Sequence, residues 1–136
     1  MRKKQIILNK KSINNEIQRI AFAIIEDFYQ EKNISIIGFK QNGYTIAKKI
    51  SNIIEKETTI KVTTHTIENY KESAYKIIPR LQKEEKSVFL VDDVLKSGKT
   101  IIYGIKEILT YNIDTLKTII LINRNHNKFP IGVDYV

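Results

Sequence analysis

The sequence predicts an α/β fold: an open, mainly parallel twisted sheet with helices on both faces. Short β-branched apolar runs alternate with stretches whose apolar residues recur every three or four positions, the rhythm of strands joined by crossover helices. One run, 87–91, is apolar throughout after its serine, as suits a strand covered on both faces. Where the strands end, at residues 40–43, 92–100 and 123–129, the chain turns polar, and an open α/β sheet holds its ligands beyond those ends.

The first helix is marked by Ile13, Ile17, Ile20, Ile24 and Phe28, with Ser12 as N-cap, Asn15 at the capping-box position and an end near Lys32. Residues 34–39 form a strand closed by Lys40-Gln41-Asn42-Gly43, after which Ile46, Ile50, Ile53 and Ile54 stripe a second helix. Residues 60–67, rich in threonine and valine, form another strand. The polar stretch 68–86 contains Pro79, and its mixed-sign charges read as an exposed charged helix. After the strand at 87–91 come Asp92 and Asp93, then Gly98, and Ile101, Ile105, Ile108 and Leu109 at helical spacing. Residues 116–122 make a further buried strand and 133–136 a last short one. No linker, repeat or composition break divides the chain, so residues 1–136 are expected to form one domain.

At 136 residues, 42% of them hydrophobic, the chain is long enough to bury a core of its own. It has no cysteine, which excludes disulfides, a thiolate nucleophile and thiolate zinc sites. With only His65 and His126 beside its acids, any metal is expected to be a hard, oxygen-bound one. No stretch approaches the roughly 20 apolar residues of a membrane span, and Ile6 to Leu8 is too short for a signal peptide's apolar region, so a cytoplasmic protein is expected. The net charge of +8 would attract RNA, DNA or small polyphosphates. Its lysines are scattered along helices rather than massed, so a solvated surface explains the charge as well.

The chemistry is concentrated in Val88-Phe89-Leu90-Val91-Asp92-Asp93-Val94-Leu95-Lys96-Ser97-Gly98-Lys99-Thr100, a hydrophobic strand, two acids and a loop that opens a helix. The unpaired N–H groups of the helix start, with the hydroxyls of Ser97 and Thr100, make a cradle for a phosphate. Gly98 lets the backbone approach closely. Carboxylates cannot hold a phosphate, but Asp92 and Asp93 can accept hydrogen bonds from two vicinal hydroxyls or hold hydrated Mg²⁺. Acids beside a phosphate cradle point to a sugar phosphate. A P-loop fails because its first glycine would stand at Asp93. A receiver domain fails because its paired acids lie on the first strand, and only 43 residues follow Asp93. Helix capping would explain one of the two acids, not both.

These thirteen residues resemble the phosphoribosyl pyrophosphate (PRPP) motif of the type I phosphoribosyltransferases. The likeness is nearest to the uracil phosphoribosyltransferase and pyrimidine-operon attenuator branch, whose helical opening is similar to residues 7–26 and whose late segment is similar to residues 121–136. The resemblance implies that Asp92 and Asp93 bind the ribose 2- and 3-hydroxyls as catalytic residues, with Asp93 also reaching Mg²⁺ through water. Lys96, Ser97, Gly98, Lys99 and Thr100 would hold the 5-phosphate. Lys40, Gln41, Asn42 and Gly43 match the pyrophosphate loop, where a lysine and backbone N–H groups can neutralise a leaving pyrophosphate.

The implied reaction transfers the 5-phosphoribosyl group of PRPP to a nucleobase with release of pyrophosphate, as in nucleotide salvage. Implied with it are Mg²⁺ as cofactor, a nucleobase or nucleoside monophosphate as partner, a homodimer, and in the regulatory branch RNA. The chain departs from that branch at Gln41 and Asn42, where threonine and arginine are usual. A lid would lie between Ile67 and Ser87, shorter here, with Tyr70, Lys71, Lys76 and Arg80 in reach of a phosphate. On the base side stand Asn123 and Arg124, with His126 and Lys128 beyond. Purine enzymes carry aspartate at Lys96 and lysine at Asn123, which makes uracil the expected base. The resemblance implies a reduced hood over the base.

Overall fold

Period-3.6 isoleucine stripes make two helices that pack side by side, α1 (Lys10–Phe28) and α2 (Asn42–Glu57). Between and after them run the strands β1 (Asn33–Phe39), β2 (Lys61–Lys71), β3 (Ala74–Ile78), β4 (Ser87–Leu95) and β5 (Thr115–Asn123), with α3 (Lys99–Ile108) joining the last two. This computed structural model describes residues 10–95, 98–123 and 132–136. The strands form one sheet in the order β3-β2-β1-β4-β5. All neighbours are parallel except β2 and β3, which form an antiparallel hairpin at one edge. The expected open, mainly parallel sheet is what the chain builds.

Alternation along the strands feeds two cores. Ile34 and Ile36 of β1, Phe89 and Val91 of β4 and Ile119 of β5 face α1 and α2, meeting Ile17, Ile20, Ile24, Ile46, Ile50 and Ile54. Their alternates, Ile37, Phe39, Val88, Leu90 and Ile120, face α3 through Ile101 and Ile108. Central strands thus bury both faces, which is why 87–91 reads as unbroken hydrophobicity.

A buried polar cluster lies under the connection between β3 and β4. Glu85, 5% exposed, accepts hydrogen bonds at Oε1 from Ser35 Oγ (2.5 Å) and His65 Nε2 (2.7 Å), and at Oε2 from the Gln82 N–H (2.6 Å). His65 Nδ1 lies 2.6 Å from the Pro79 carbonyl oxygen. Both ring nitrogens therefore face oxygens, which fixes the orientation of the ring.

Several elements differ from their sequence reading. Ser12 lies inside α1, because the helix is already running at Lys10. That helix stops at Phe28 rather than near Lys32, since a turn from Phe28 to Glu31 brings the chain straight into β1. Residues 68–86 are not a charged helix. β2 runs on to Lys71 and pairs with β3, in which Tyr75 and Ile77 point inward and Lys76 and Ile78 outward; the solvated face of an edge strand carries the charges that hid the alternation. β4 continues through both acids to Leu95, so Asp92 and Asp93 stand on the strand's end. In 133–136 only Tyr135 bridges, in parallel with Ile119. Among the described residues no helix is long and apolar enough to cross a membrane.

Candidate functional site

The chain leaves β1 through α2 towards β2 on one side, and leaves β4 through α3 towards β5 on the other. Because β1 and β4 are neighbours, their following segments diverge and open a crevice beyond the carboxyl ends, the topological switch point of the sheet. Gly43 sets how close the two walls come. A Cβ on it would lie 2.5 Å from the Val91 carbonyl oxygen, so only glycine lets the first turn of α2 rest on the end of β4. Asn42 is thereby brought against the acids, and its Nδ2 donates to Asp93 Oδ2 at 3.0 Å.

The paired acids also order their own strand end. Asp92 Oδ1 accepts from the Asp93 N–H and Asp93 Oδ1 from the Val94 N–H, each at 2.9 Å. Burial pushes the Asp93 carboxyl up, yet the hydrogen bonds from Asn42 and the backbone hold it below the usual aspartate value, so it stays ionised. Across the crevice, Gly98 precedes α3 with φ of 89°, a left-handed conformation that a Cβ would strain. Its N-cap residue, Gly98, has no side chain with which to cap the helix. Its first-turn N–H groups lie outside the helical ladder and its dipole is positive there, which suits a phosphate.

Three hollows share walls along this edge. The first, about 550 Å³, is lined by Phe39, Lys40, Gln41, Asn42, Asp92 and Thr100, with Ile67, Glu68, Asn69 and Tyr75 from the hairpin. The second, about 240 Å³, runs from Asp92 and Asp93 to Gly98 and Thr100. The third, about 420 Å³, lies between the hairpin tip at Glu72 and Ser73 and the start of α3 at Lys99 and Thr100. Thr100 borders all three, so acids, loop and helix start address one continuous trough.

The phosphoribosyl transferase domain family matches residues 4–136. The chain belongs to that family. Among curated relatives, the bifunctional protein PyrR of Clostridium kluyveri is 32% identical, covering 100% of this chain and 83% of its own length. The PyrR protein of Clostridioides difficile is also 32% identical, covering 100% and 84%. Among solved structures, a hypoxanthine-guanine phosphoribosyltransferase from Bacillus anthracis superposes with a TM-score of 0.75 at 18% identity, covering 93% of this chain and 76% of its own. The hypoxanthine phosphoribosyl transferase of Trypanosoma cruzi reaches 0.76 at 16% identity, covering 92% and 72%. The structures show the fold; the sequence relatives place the chain on the PyrR branch of the type I enzymes. Its function is that of a PRPP-binding phosphoribosyltransferase.

Against this phosphoribosyltransferase frame, the structure brings Lys40, Gln41, Asn42, Asp92 and Thr100 to one cavity, and Asp93 and Gly98 to the next. Gly43 is buried beneath them as a spacer rather than presented to the crevice. Lys99 leans over the Tyr103 ring, 5.8 Å from its centroid, and borders the third hollow. Lys96, Ser97, Arg124, His126 and Lys128 lie outside the described residues, as does the side chain of Asn123, the last residue of β5.

The expected lid is a hairpin whose Tyr75 meets the Phe39 ring edge-on at 5.9 Å and stacks on Tyr103 at 6.1 Å. Lys76 instead covers Tyr70, Arg80 covers Tyr111, and neither borders the trough, nor does Tyr70 or Lys71. Glu68, Asn69 and Tyr75 were not foreseen as lining residues. The period-2 placement of Tyr75 and Ile77 was the signal that could have found the wall they form.

Proposed function

We propose that this phosphoribosyltransferase binds PRPP along the trough and transfers its ribosyl group to uracil. The observation that carries the reading is that Asp92 and Thr100 border the same two hollows, with Lys40 lining the first, so hydroxyl acceptors and a phosphate cradle address the same space. Asp92 and Asp93 would take the ribose 2- and 3-hydroxyls, the start of α3 the 5-phosphate, and residues 40–42 the pyrophosphate side. The C1–oxygen bond to pyrophosphate breaks as the bond from C1 to the base nitrogen forms, and the nitrogen's proton leaves to solvent. Positive charge develops on the ribose beside two carboxylates, which the site can stabilise without reorganising.

The donor set fits Mg²⁺ carried by the substrate. Among the described residues no group of three or more His, Cys, Asp or Glu forms a cage. Adjacent carboxylates at an open crevice suit an ion that keeps its waters and shares phosphate oxygens. When bound, Mg²⁺ would withdraw charge from the departing pyrophosphate. Calorimetric titration with PRPP and Mg²⁺, followed by a panel of bases, tests the reading. Saturable PRPP binding with uracil the preferred acceptor is expected, and no heat with any of them would refute it.

A second reading, an RNA-binding regulator responding to a uridine nucleotide, is favoured by the net charge of +8 together with the likeness to the attenuator branch. It requires affinity for RNA that falls linearly with log salt and changes with the nucleotide at fixed salt. Weak, sequence-blind retention that nucleotides leave unaltered would return the charge to a solvated surface.

A further inference from the structure

The described part of the pyrophosphate side of the trough is occupied by the protein's own charges. Lys40 Nζ lies 3.8 Å from Glu68 Oε2, and both side chains line the 550 Å³ hollow. The pairing is rooted in the sheet, because the Lys40 N–H donates to the Ile67 carbonyl oxygen at 3.2 Å and so places Lys40 directly beside Glu68. Of the loop's two amide side chains, Asn42 gives its donor to Asp93. Among the described residues lining this hollow, the ionised side chains are then one cation, Lys40, and two carboxylates, Glu68 and Asp92.

A diphosphate entering there meets a lysine already engaged and a carboxylate next to it. The 5-phosphate meets neither, since its cradle is the start of α3 on the other wall. We infer that Glu68 determines ligand preference at this site: by engaging Lys40 it cancels the affinity the diphosphate would add, so ribose 5-phosphate monoesters, nucleoside monophosphates included, bind about as well as PRPP. This rests on the crevice being the PRPP site. Glu68 is then the residue that sets the ratio of the two affinities.

Ribose 5-phosphate and PRPP differ in the C1 diphosphate alone, so their affinity ratio isolates its contribution. Both are titrated by calorimetry at the same excess of Mg²⁺ into the unaltered protein, Glu68→Gln and the double variant Lys40→Met with Glu68→Gln. The unaltered protein should bind the two within about threefold, and E68Q should bind PRPP about tenfold more tightly with ribose 5-phosphate unchanged, the gain of one freed charge-assisted contact. The double variant should lose that gain, which ties it to Lys40, and equal melting midpoints would show that all three are folded. If the unaltered protein already prefers PRPP by about tenfold or more and E68Q leaves the ratio alone, Glu68 does not discriminate, while the crevice assignment stands. If none of the three proteins binds either ligand, the crevice assignment itself falls and this inference with it.

Discussion

Two carboxylates in this molecule, Glu85 and Asp93, are both held below their usual pKa, yet they stand in unlike places. Burial pushes Glu85 up, but hydrogen bonds from Ser35, the Gln82 N–H and His65 outweigh it. Its oxygens serve three donors, and the residue is only 5% exposed. Asp93 also has protein partners, Asn42 and the Val94 N–H, but it borders an open hollow at the carboxyl edge of the sheet. A carboxylate offers about four acceptor positions. Burial with three donors makes the first acid a fixture of the fold; partial exposure with two lets the second keep capacity for a ligand. The sequence shows an acid in each place, and only the surroundings separate their roles.

The sharpest way to break this contrast is Glu85→Gln. It replaces a carboxylate that serves three donors with an amide offering one acceptor oxygen, and each buried donor left unpaired costs about 1–3 kcal/mol. Urea unfolding should show a loss of that size, with ligand affinity of the folded protein unchanged. The pH dependence follows with a definite sign. The folded pKa of Glu85 lies below its ordinary 4.5, so the unfolded chain binds the extra proton first; the stabilisation is complete above about pH 5 and is lost as pH falls through the folded value. Acid titration of the unfolding free energy should therefore slope less in E85Q than in the unaltered protein. Equal slopes would show that Glu85 is not the group that acid attacks.

Next in size are Asp92→Asn and Asp93→Asn. Each keeps shape and removes charge, and a hydrogen bond to a charged acceptor is worth about 1.5–3 kcal/mol, so PRPP affinity should fall by that much at each position. Stability should move far less than in E85Q. The reverse pattern, intact affinity with a large loss of stability, would make these acids fixtures like Glu85.

How far the sequence discloses this arrangement depends on burial symmetry. Strands buried on both faces, such as β1 and β4, announce themselves as apolar runs, and the acids that end β4 stand out against them. Gly98 was legible because a helix start beside acids needs a close backbone approach, and its positive φ agrees. The hairpin was not legible: one face is solvated, so Lys71, Glu72 and Lys76 mask Tyr75 and Ile77. Glu68 escaped notice for the same reason. Its effect on Lys40 comes from a ladder between β1 and β2, a pairing that spacing along the chain does not contain. Ser35, His65 and Glu85 likewise meet only through the sheet, from positions far apart in sequence.

Smaller effects test whether the hairpin is a wall. Tyr75→Leu keeps an apolar side chain but loses two ring pairs, each worth about 0.5–1.5 kcal/mol beyond its area. Amide exchange at Ile67 and Ile77, which pair across the hairpin, should quicken accordingly. Phenylalanine at the same position should restore protection, and its failure to do so would shift the role from the ring to the hydroxyl.

The smallest expected effect belongs to the cations that a lid would use. Lys76 sits 5.8 Å from the centre of the Tyr70 ring and Arg80 5.5 Å from that of Tyr111, and neither cation lines the trough. Exposed contacts of this kind are worth about 0.5–1 kcal/mol, so Lys76→Ala and Arg80→Ala should each cost no more than that in stability. Neither charge borders the phosphate cradle, and both are open to solvent, where salt screens them over about 10 Å. PRPP affinity at physiological salt should therefore stay within about twofold in both variants, a change near 0.4 kcal/mol. A tenfold loss in either would mean that β3 swings over the ligand in solution. The hairpin would then be a lid after all, and the division between a fixed wall and an open crevice would have to be redrawn around it.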